Sequence, residues 1–307
     1  MSQFTFIVNP QAGKGDARKV FAAIQRELRH RSADYRTVMT ERPGHATEAA
    51  READSPVIVG VGGDGTLNEI ANGMAGSGRS LGIIPAGSGN DFIKSVGVPR
   101  RPVDALQILF TGEPRAVDVG TVFCTADKEG GGNSSPRLFV NGVGIGFDAA
   151  VAARTREIPL LGGTALYLVA VLQTLGRYTA PVFSMHGEHA QRNAPALLIA
   201  VGNGVCAGGG FYLTPDARVD DGLLDICAVD DKNVLEILRL MPRVMRGKHH
   251  NVPGVKFFRD RSFVITADTL FYVHADGEIV GANVRRVEIG LRASSLNIIV
   301  PKQHGQR

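Results

Sequence analysis

Seven residues, Gly62-Gly63-Asp64-Gly65-Thr66-Leu67-Asn68, follow directly on the apolar run VIVGV and have the composition of a phosphate-binding turn. Consecutive glycines let backbone N–H groups converge on an oxygen, and a helix opening near Thr66 aims its partial positive charge at the same point. Asp64 sits awkwardly beside phosphates unless a magnesium ion lies between them, which assigns it to a Mg–nucleotide complex. A tight turn before a helix, with Asp64 and Thr66 as caps only, is the plainer alternative.

Two further turns share this design. In IVNPQAGKG, Ile7 to Gly15, a strand ends in Asn9-Pro10 and a glycine turn opens a helix. Lys14 is not a P-loop lysine, because the G-x-x-x-x-G-K-[ST] spacing is absent. In PAGSGNDF, Pro85 to Phe92, Ser88 and Asn90 can hydrogen-bond, and Asp91 can hold Asn90 or a metal. Three such turns on one sheet edge argue against coincidence. Two acidic turns follow later: Asp220-Asp221-Gly222, and Asp276-Gly277 before Glu278. From spacing alone both read as hairpin turns, Asp-Gly being a favoured hairpin dipeptide.

The elements around these turns divide the chain. Up to about residue 120, β-branched runs (FTFIVN, YRTVMT, PVIVGVG, SLGIIP) alternate with amphipathic segments starting near Asp16, Gly44, Thr66 and Asn90. That is an α/β pattern with a parallel sheet, whose ligands bind beyond the carboxyl ends of the strands. After Asp118-Val119 closely spaced strands follow: LFVNGVGIGF, ALLIAVGN, LLDICAVD, SFVITA, LFYVHADG and VRRVEIGL. They predict a β-rich second domain over about 121–292, interrupted by helices within 160–175 and 234–246. Thr125 to Pro136 reads as a polar hairpin loop.

Composition bounds the rest. A chain of 307 residues, 44% hydrophobic and 21% charged, is an ordinary globular protein of about two domains. The net charge of +4, without a dense basic run, does not favour nucleic acid. Cys124, Cys206 and Cys227 lie far apart and match reduced, structural thiols. The start enters a strand without signal-peptide character, which points to the cytoplasm. Ile158 to Leu175, broken by Gly162, Gly163 and Thr164, falls short of a membrane span and reads as a buried helix.

NPQAG, GGDGTLN, PAGSGNDF, AGGGFYLTPDARVDDGLLD (207–225) and HADGE (274–278) stand in the order of one family. Over nearly its whole length the chain resembles the bacterial diacylglycerol kinase and related lipid kinases, whose catalytic domain is shared with sphingosine and ceramide kinases. The resemblance implies an ATP-dependent lipid kinase with a β-sandwich-like second domain, the last strand, about 293–307, returning to the first domain. It implies an active site in the cleft between the domains, where Glu278 faces the phosphate turns. Nucleotide contacts are implied from Asn9, Pro10, Gln11, Ala12, Gly13, Thr40, Gly62 to Asn68, and Ser88. A structural Mg²⁺ is implied at Asp221 with the backbone carbonyls of Arg218 and Leu223, alongside the Mg²⁺ of the nucleotide. Glu278 is implied as the catalytic base with Asp276 its neighbour, and the sequence leaves open which carboxylate takes the proton.

The chain departs from the family in Ser88, where threonine is commoner, in Lys94, where arginine is frequent, and in His274-Ala275, where apolar residues are usual. NAD kinases also carry GGDG, yet their threonine-glycine-serine motif has no counterpart here. A non-catalytic nucleotide- or lipid-binding regulator is the other alternative. A lipid acceptor such as diacylglycerol brings transient contact with the inner membrane face, and a homodimer stays open. Ile158 to Leu175 and VKFF, 255–258, are candidate walls for a lipid tunnel as much as for a core.

Overall fold

The computed structural model describes residues 2–126, 135–155, 170, 173–174 and 178–302. The chain divides into two compact units, Met1–Val119 with Ala293–Arg307, and Gly120–Arg292.

In the first unit β1 (Phe4–Val8), β2 (Tyr35–Met39), β3 (Val57–Gly62) and β4 (Ser80–Pro85) form a parallel sheet ordered β2-β1-β3-β4. The end of β14 (Glu278–Val300) adds in parallel beyond β4, Asn297 opposite Ser80. β1, β3 and β4 are almost wholly buried, as apolar runs in a parallel sheet covered on both faces must be. α1 (Asp16–His30) buries Ala17, Phe21, Ile24 and Leu28, one stripe at helical spacing, with Phe21 against Phe6 of β1 at 5.8 Å between rings. α2 (His45–Glu52) lies on α3 (Asp64–Met74), where a β-carbon on Gly73 would come within 2.3 Å of the Thr47 carbonyl. α4 (Phe92–Val96) and α5 (Pro102–Thr111) complete the unit. α3 starts two residues before Thr66 and α4 two after Asn90. α5 lies outside the sequence expectations, its run PVDALQILFT being too evenly apolar to show a helical period.

The second unit is antiparallel. From β5 (Glu113–Ala126) onward it contains β6 (Arg137–Phe139), β7 (Gly142–Gly146), α6 (Phe147–Thr155), β8 (Val182–Gly187), β9 (Gln191–Pro195), β10 (Leu198–Gly202) and β11 (Leu224–Val229). α7 (Val234–Val244), β12 (Val255–Asp260), β13 (Ser262–Ala275) and the first part of β14 follow. Strands run β12-β11-β10-β7-β13-β14, with β8 and β9 attached to β13. Phe139, Phe183, Phe263 and Phe271 anchor a sandwich-like core.

Three sequence expectations change here. The single strand LFVNGVGIGF is split into β6 and β7, because the Asp276 carboxylate takes the N–H groups at the break. SFVITA and LFYVHADG join into β13, whose pairing with β14 shifts register between Thr266 and Phe271, a bulge that a two-residue alternation hides. VKFF is most of β12: Val255 is buried, and the ring of Phe257 lies 4.4 Å from that of His250. The helix expected within 160–175 falls almost entirely outside the described residues, as does most of the 125–136 loop.

Candidate active site

The parallel strands of the first unit deliver their turns to one sheet edge. Asn9 follows β1, where its N–H bonds the Val61 carbonyl (3.0 Å) and its Nδ2 donates to Thr66 Oγ1 (3.1 Å). Its Oδ1 accepts the Gln11 N–H (3.0 Å), closing the Asn9–Gly13 loop. Thr40, after β2, is held by its N–H on the Val8 carbonyl (2.8 Å). The Ala86 N–H bonds the Gly62 carbonyl (2.8 Å), joining the loops after β3 and β4.

Glycine is what allows these loops to touch. A β-carbon on Gly87 would lie 2.4 Å from the Gly63 α-carbon, and one on Gly13, at φ +60°, 2.5 Å from the Ala86 carbonyl oxygen. On Gly62 it would strike Thr66 Oγ1 at 2.4 Å. α3 starts at Asp64 with Gly63 at its N-cap, which supplies no side-chain acceptor, so the helix start offers N–H groups to an anion. Asp64 is fixed by the Phe92 N–H on its Oδ1 (3.1 Å). Asn90, at φ +51°, clamps the third loop through both the N–H and the carbonyl of Gly87 (3.1 and 2.7 Å).

The residues anticipated as nucleotide contacts therefore sort by position. Asn9, Gly13, Gly62, Gly63, Asp64 and Thr66 are brought together. Gln11 and Ser88 are exposed on their loops, Ala12, Thr40 and Gly65 are half-buried, and Pro10, Leu67 and Asn68 are buried. Leu67 fills the space over Gly60, a packing role.

In the second unit β13 and β14 are joined at Asp276-Gly277, both at positive φ (+47° and +85°), with Ala275 opposite Glu278. This is the geometry of a two-residue Asp-Gly hairpin. The Asp276 carboxylate accepts three backbone N–H groups, from Val140 (2.8 Å), Asn141 (3.0 Å) and Gly142 (2.9 Å). Glu278 is presented differently, half-exposed, with Oε2 on the guanidinium of Arg137 from β6. His274, just before the turn, places Nε2 3.3 Å from Asp148 Oδ2, over the bare backbone of Gly144. The pair borders a cavity of about 20 Å³, space for about one water, also lined by Asn141, Cys206 and Thr214. Neither Arg137 nor Asp148 is marked by any motif in the sequence.

The third acidic group is the Asp221 turn. Asp221 Oδ1 accepts the Leu223 N–H (3.1 Å), and Oδ2 meets Arg259, whose Nε also reaches Asp225 Oδ1 (3.1 Å). Burial pushes the Asp225 carboxyl up to about 6, Arg259 opposing and Asp221 adding to the rise. Its Oδ2 is buried without a hydrogen-bond partner among the described residues. A half-buried carboxylate beside an unsatisfied carboxylate oxygen is a donor set that fits an oxygen-liking cation such as Mg²⁺. The Arg218 guanidinium is a cation without an acceptor, so only the backbone carbonyl of that residue suits the role. Burial also pushes the Cys124 and Cys227 thiols up to about 12, which makes them inert packing residues.

Comparison with known proteins matches this architecture in both halves. Residues 3–122 match the diacylglycerol kinase catalytic domain, and residues 141–300 the YegS C-terminal NAD kinase beta sandwich-like domain. The Bacillus subtilis protein YtlR is 30% identical over 305 residues, covering 94% of this chain and 96% of its own. The diacylglycerol kinase of Bacillus subtilis is 28% identical, covering 92% and 91%. A Bacillus anthracis crystal structure, assigned to the diacylglycerol kinases, superposes with a TM-score of 0.77 at 26% identity, over 97% of this chain and 95% of its own. With a parallel α/β unit and a sandwich-like unit in this order, the chain belongs to the family of diacylglycerol kinases and YegS-like lipid kinases.

Proposed function

We propose that this kinase transfers the γ-phosphate of ATP to a hydroxyl of diacylglycerol, giving phosphatidic acid and ADP. The observation that carries the donor half is the convergence of three glycine loops, backbone against backbone, beside the uncapped start of α3. Such a surface holds a polyphosphate through N–H groups and a helix terminus and offers little to a neutral ligand. Asn9, Gly13, Gly62 to Thr66 and Ser88 form the nucleotide site, and Thr40 borders it. Asp64 would hold the Mg²⁺ of the nucleotide, which would supply neutralising charge for the phosphates.

Glu278 takes the acceptor proton in this reading. It is half-exposed, and Arg137, its ion-pair partner among the described residues, orients it. Asp276 is the positioning residue, because three backbone N–H groups already occupy its oxygens. Asp221, with the carbonyls of Arg218 and Leu223, would hold the structural Mg²⁺, and Asp225 lies beside them. Most of the rate enhancement then comes from positioning and electrostatics.

The test is transfer of label from radioactive ATP with Mg²⁺ to detergent-dispersed diacylglycerol, phosphatidylglycerol, sphingosine and NAD, with the Asp64→Ala protein as control. Asp64-dependent label in diacylglycerol is the expected result. Label confined to another lipid corrects the acceptor, and label confined to NAD overturns the lipid reading.

A further inference from the structure

We propose that the outer face of α7 is the surface by which this protein docks on an anionic bilayer. The helix is held in a fixed rotation. Asn233 accepts the Glu236 N–H (3.0 Å) while Glu236 accepts the Asn233 N–H (2.9 Å), and Ile237, Leu240 and Val244 are buried in the core beneath. The opposite face is not wholly polar, as a solvated helix face would be. Val234, Leu235, Leu238 and Met245 are 43%, 63%, 39% and 48% exposed. They are four of the eight large apolar side chains exposed to this degree among the described residues. Scattered exposed apolar residues are ordinary, but half of them on one short helix and its C-cap make a patch.

The charge beside the patch selects the partner. Val234, Leu238, Pro242 and Met245 follow one another at helical spacing as a single row, with Leu235 alongside. Arg239, Arg243 and Arg246, all exposed, line the flank next to Leu235, and Lys248 follows. Glu236 is the helix's only carboxylate and is committed to the cap. An apolar row with a cationic flank is the pattern of a helix lying in the interface plane, side chains in the acyl boundary and guanidinium groups on lipid phosphates. No helix among the described residues is long and apolar enough to cross a membrane, so contact of this kind is from the surface. The inference deepens the lipid-kinase reading and rests on it for choosing a bilayer over an apolar groove on a protein.

The test is co-sedimentation of the full chain, without nucleotide, with vesicles of phosphatidylcholine alone or mixed with phosphatidylglycerol. Binding is expected only to the anionic vesicles, weakening as salt rises past roughly 0.15 M. Leu235→Ser with Leu238→Ser should weaken it roughly tenfold or more. Replacing Arg239, Arg243 and Arg246 by Gln should weaken it about fivefold for each charge removed. Both sets should leave thermal unfolding and phosphorylation of detergent-dispersed acceptor unchanged. Undiminished vesicle binding in these variants, or their dissociation of a solution dimer in sedimentation velocity instead, overturns the proposal. A chain that binds vesicles through α7 but phosphorylates no lipid breaks the kinase reading and leaves docking standing. One that phosphorylates dispersed lipid but ignores anionic vesicles does the reverse.

Discussion

The two units place glycine in their functional turns for opposite reasons. In the first, Gly13, Gly63 and Gly87 are where backbone meets backbone, and any β-carbon would strike another loop at close range. In the second, among the described residues nothing lies within 4 Å of a β-carbon on Gly277, and only the end of the Arg261 side chain reaches one on Gly222. These glycines are there for their positive φ, +85° and +73°. In the first unit side chains are taken away so that backbone groups of three loops crowd together. In the second unit the chain is turned sharply so that a carboxylate stands at the bend.

The largest effects should come from the two carboxylates given chemical roles in the proposed function, Asp64 and Glu278. Asp64→Ala should lower turnover on the order of 10²–10³-fold with the fold intact, and Glu278→Gln about 10²-fold or more. Steady-state kinetics beside circular dichroism checks both. Unchanged turnover in a folded variant removes that residue's role. Asp276→Asn should separate from Glu278→Gln in kind, because it loses an anionic acceptor for three N–H groups. Its melting temperature should fall by the equivalent of about 2–3 kcal/mol, whereas Glu278→Gln leaves stability within about 0.5 kcal/mol.

The glycines themselves test the comparison directly. Gly87→Ala should destabilise by about 1–3 kcal/mol and raise KM for ATP, and Gly87→Asn should be no better, since space is what is missing. Gly277→Ala should cost about 1–2 kcal/mol, and Gly277→Asn should recover most of it, since asparagine tolerates positive φ. Denaturant unfolding reads all four. Equal rescue by asparagine at both positions would erase the distinction.

A smaller effect concerns Asp225. Its carboxyl keeps a proton to about pH 6 when folded, whereas an unfolded aspartate releases it near 4. Between those values the native state binds more protons, so this group's contribution to stability is full below about 4 and lost as pH rises through 6. Bound Mg²⁺ favours the ionised form, so added Mg²⁺ should raise the melting temperature more at pH 7.5 than at pH 5. Asp221→Asn should abolish that difference. A Mg²⁺ shift independent of pH and of Asp221 would move the cation elsewhere.

What the sequence could reveal follows from the same physics. The three glycine loops were legible because a glycine requirement is local, and three loops after three apolar runs repeat it. The α/β and β-rich halves were legible because a buried parallel strand and an antiparallel one pattern differently. Arg137 was not, for it meets Glu278 across 141 residues and no local pattern encodes such a partner. The pairing of His274 with Asp148 was hidden likewise, and only the unusual histidine before the Asp-Gly turn hinted at it. The break between β6 and β7 escaped because its cause is Asp276, far along the chain. Patterning reads neighbours, and the carboxylate turns take theirs from distant strands.

β14 also sets an order of assembly. Its last residues complete the first unit: Asn297 pairs beside β4, the Ser294 N–H caps Asp118 (2.8 Å), and the Ser295 carbonyl takes the Gly76 N–H (2.8 Å). On the ribosome, residues 1–119 emerge first yet wait for a strand made after the entire second unit. Until then β4 is an open edge, ready to pair with whatever strand is near. The nucleotide half is thus finished last, and a fragment ending at Val119 should prove prone to self-association in place of being a minimal kinase.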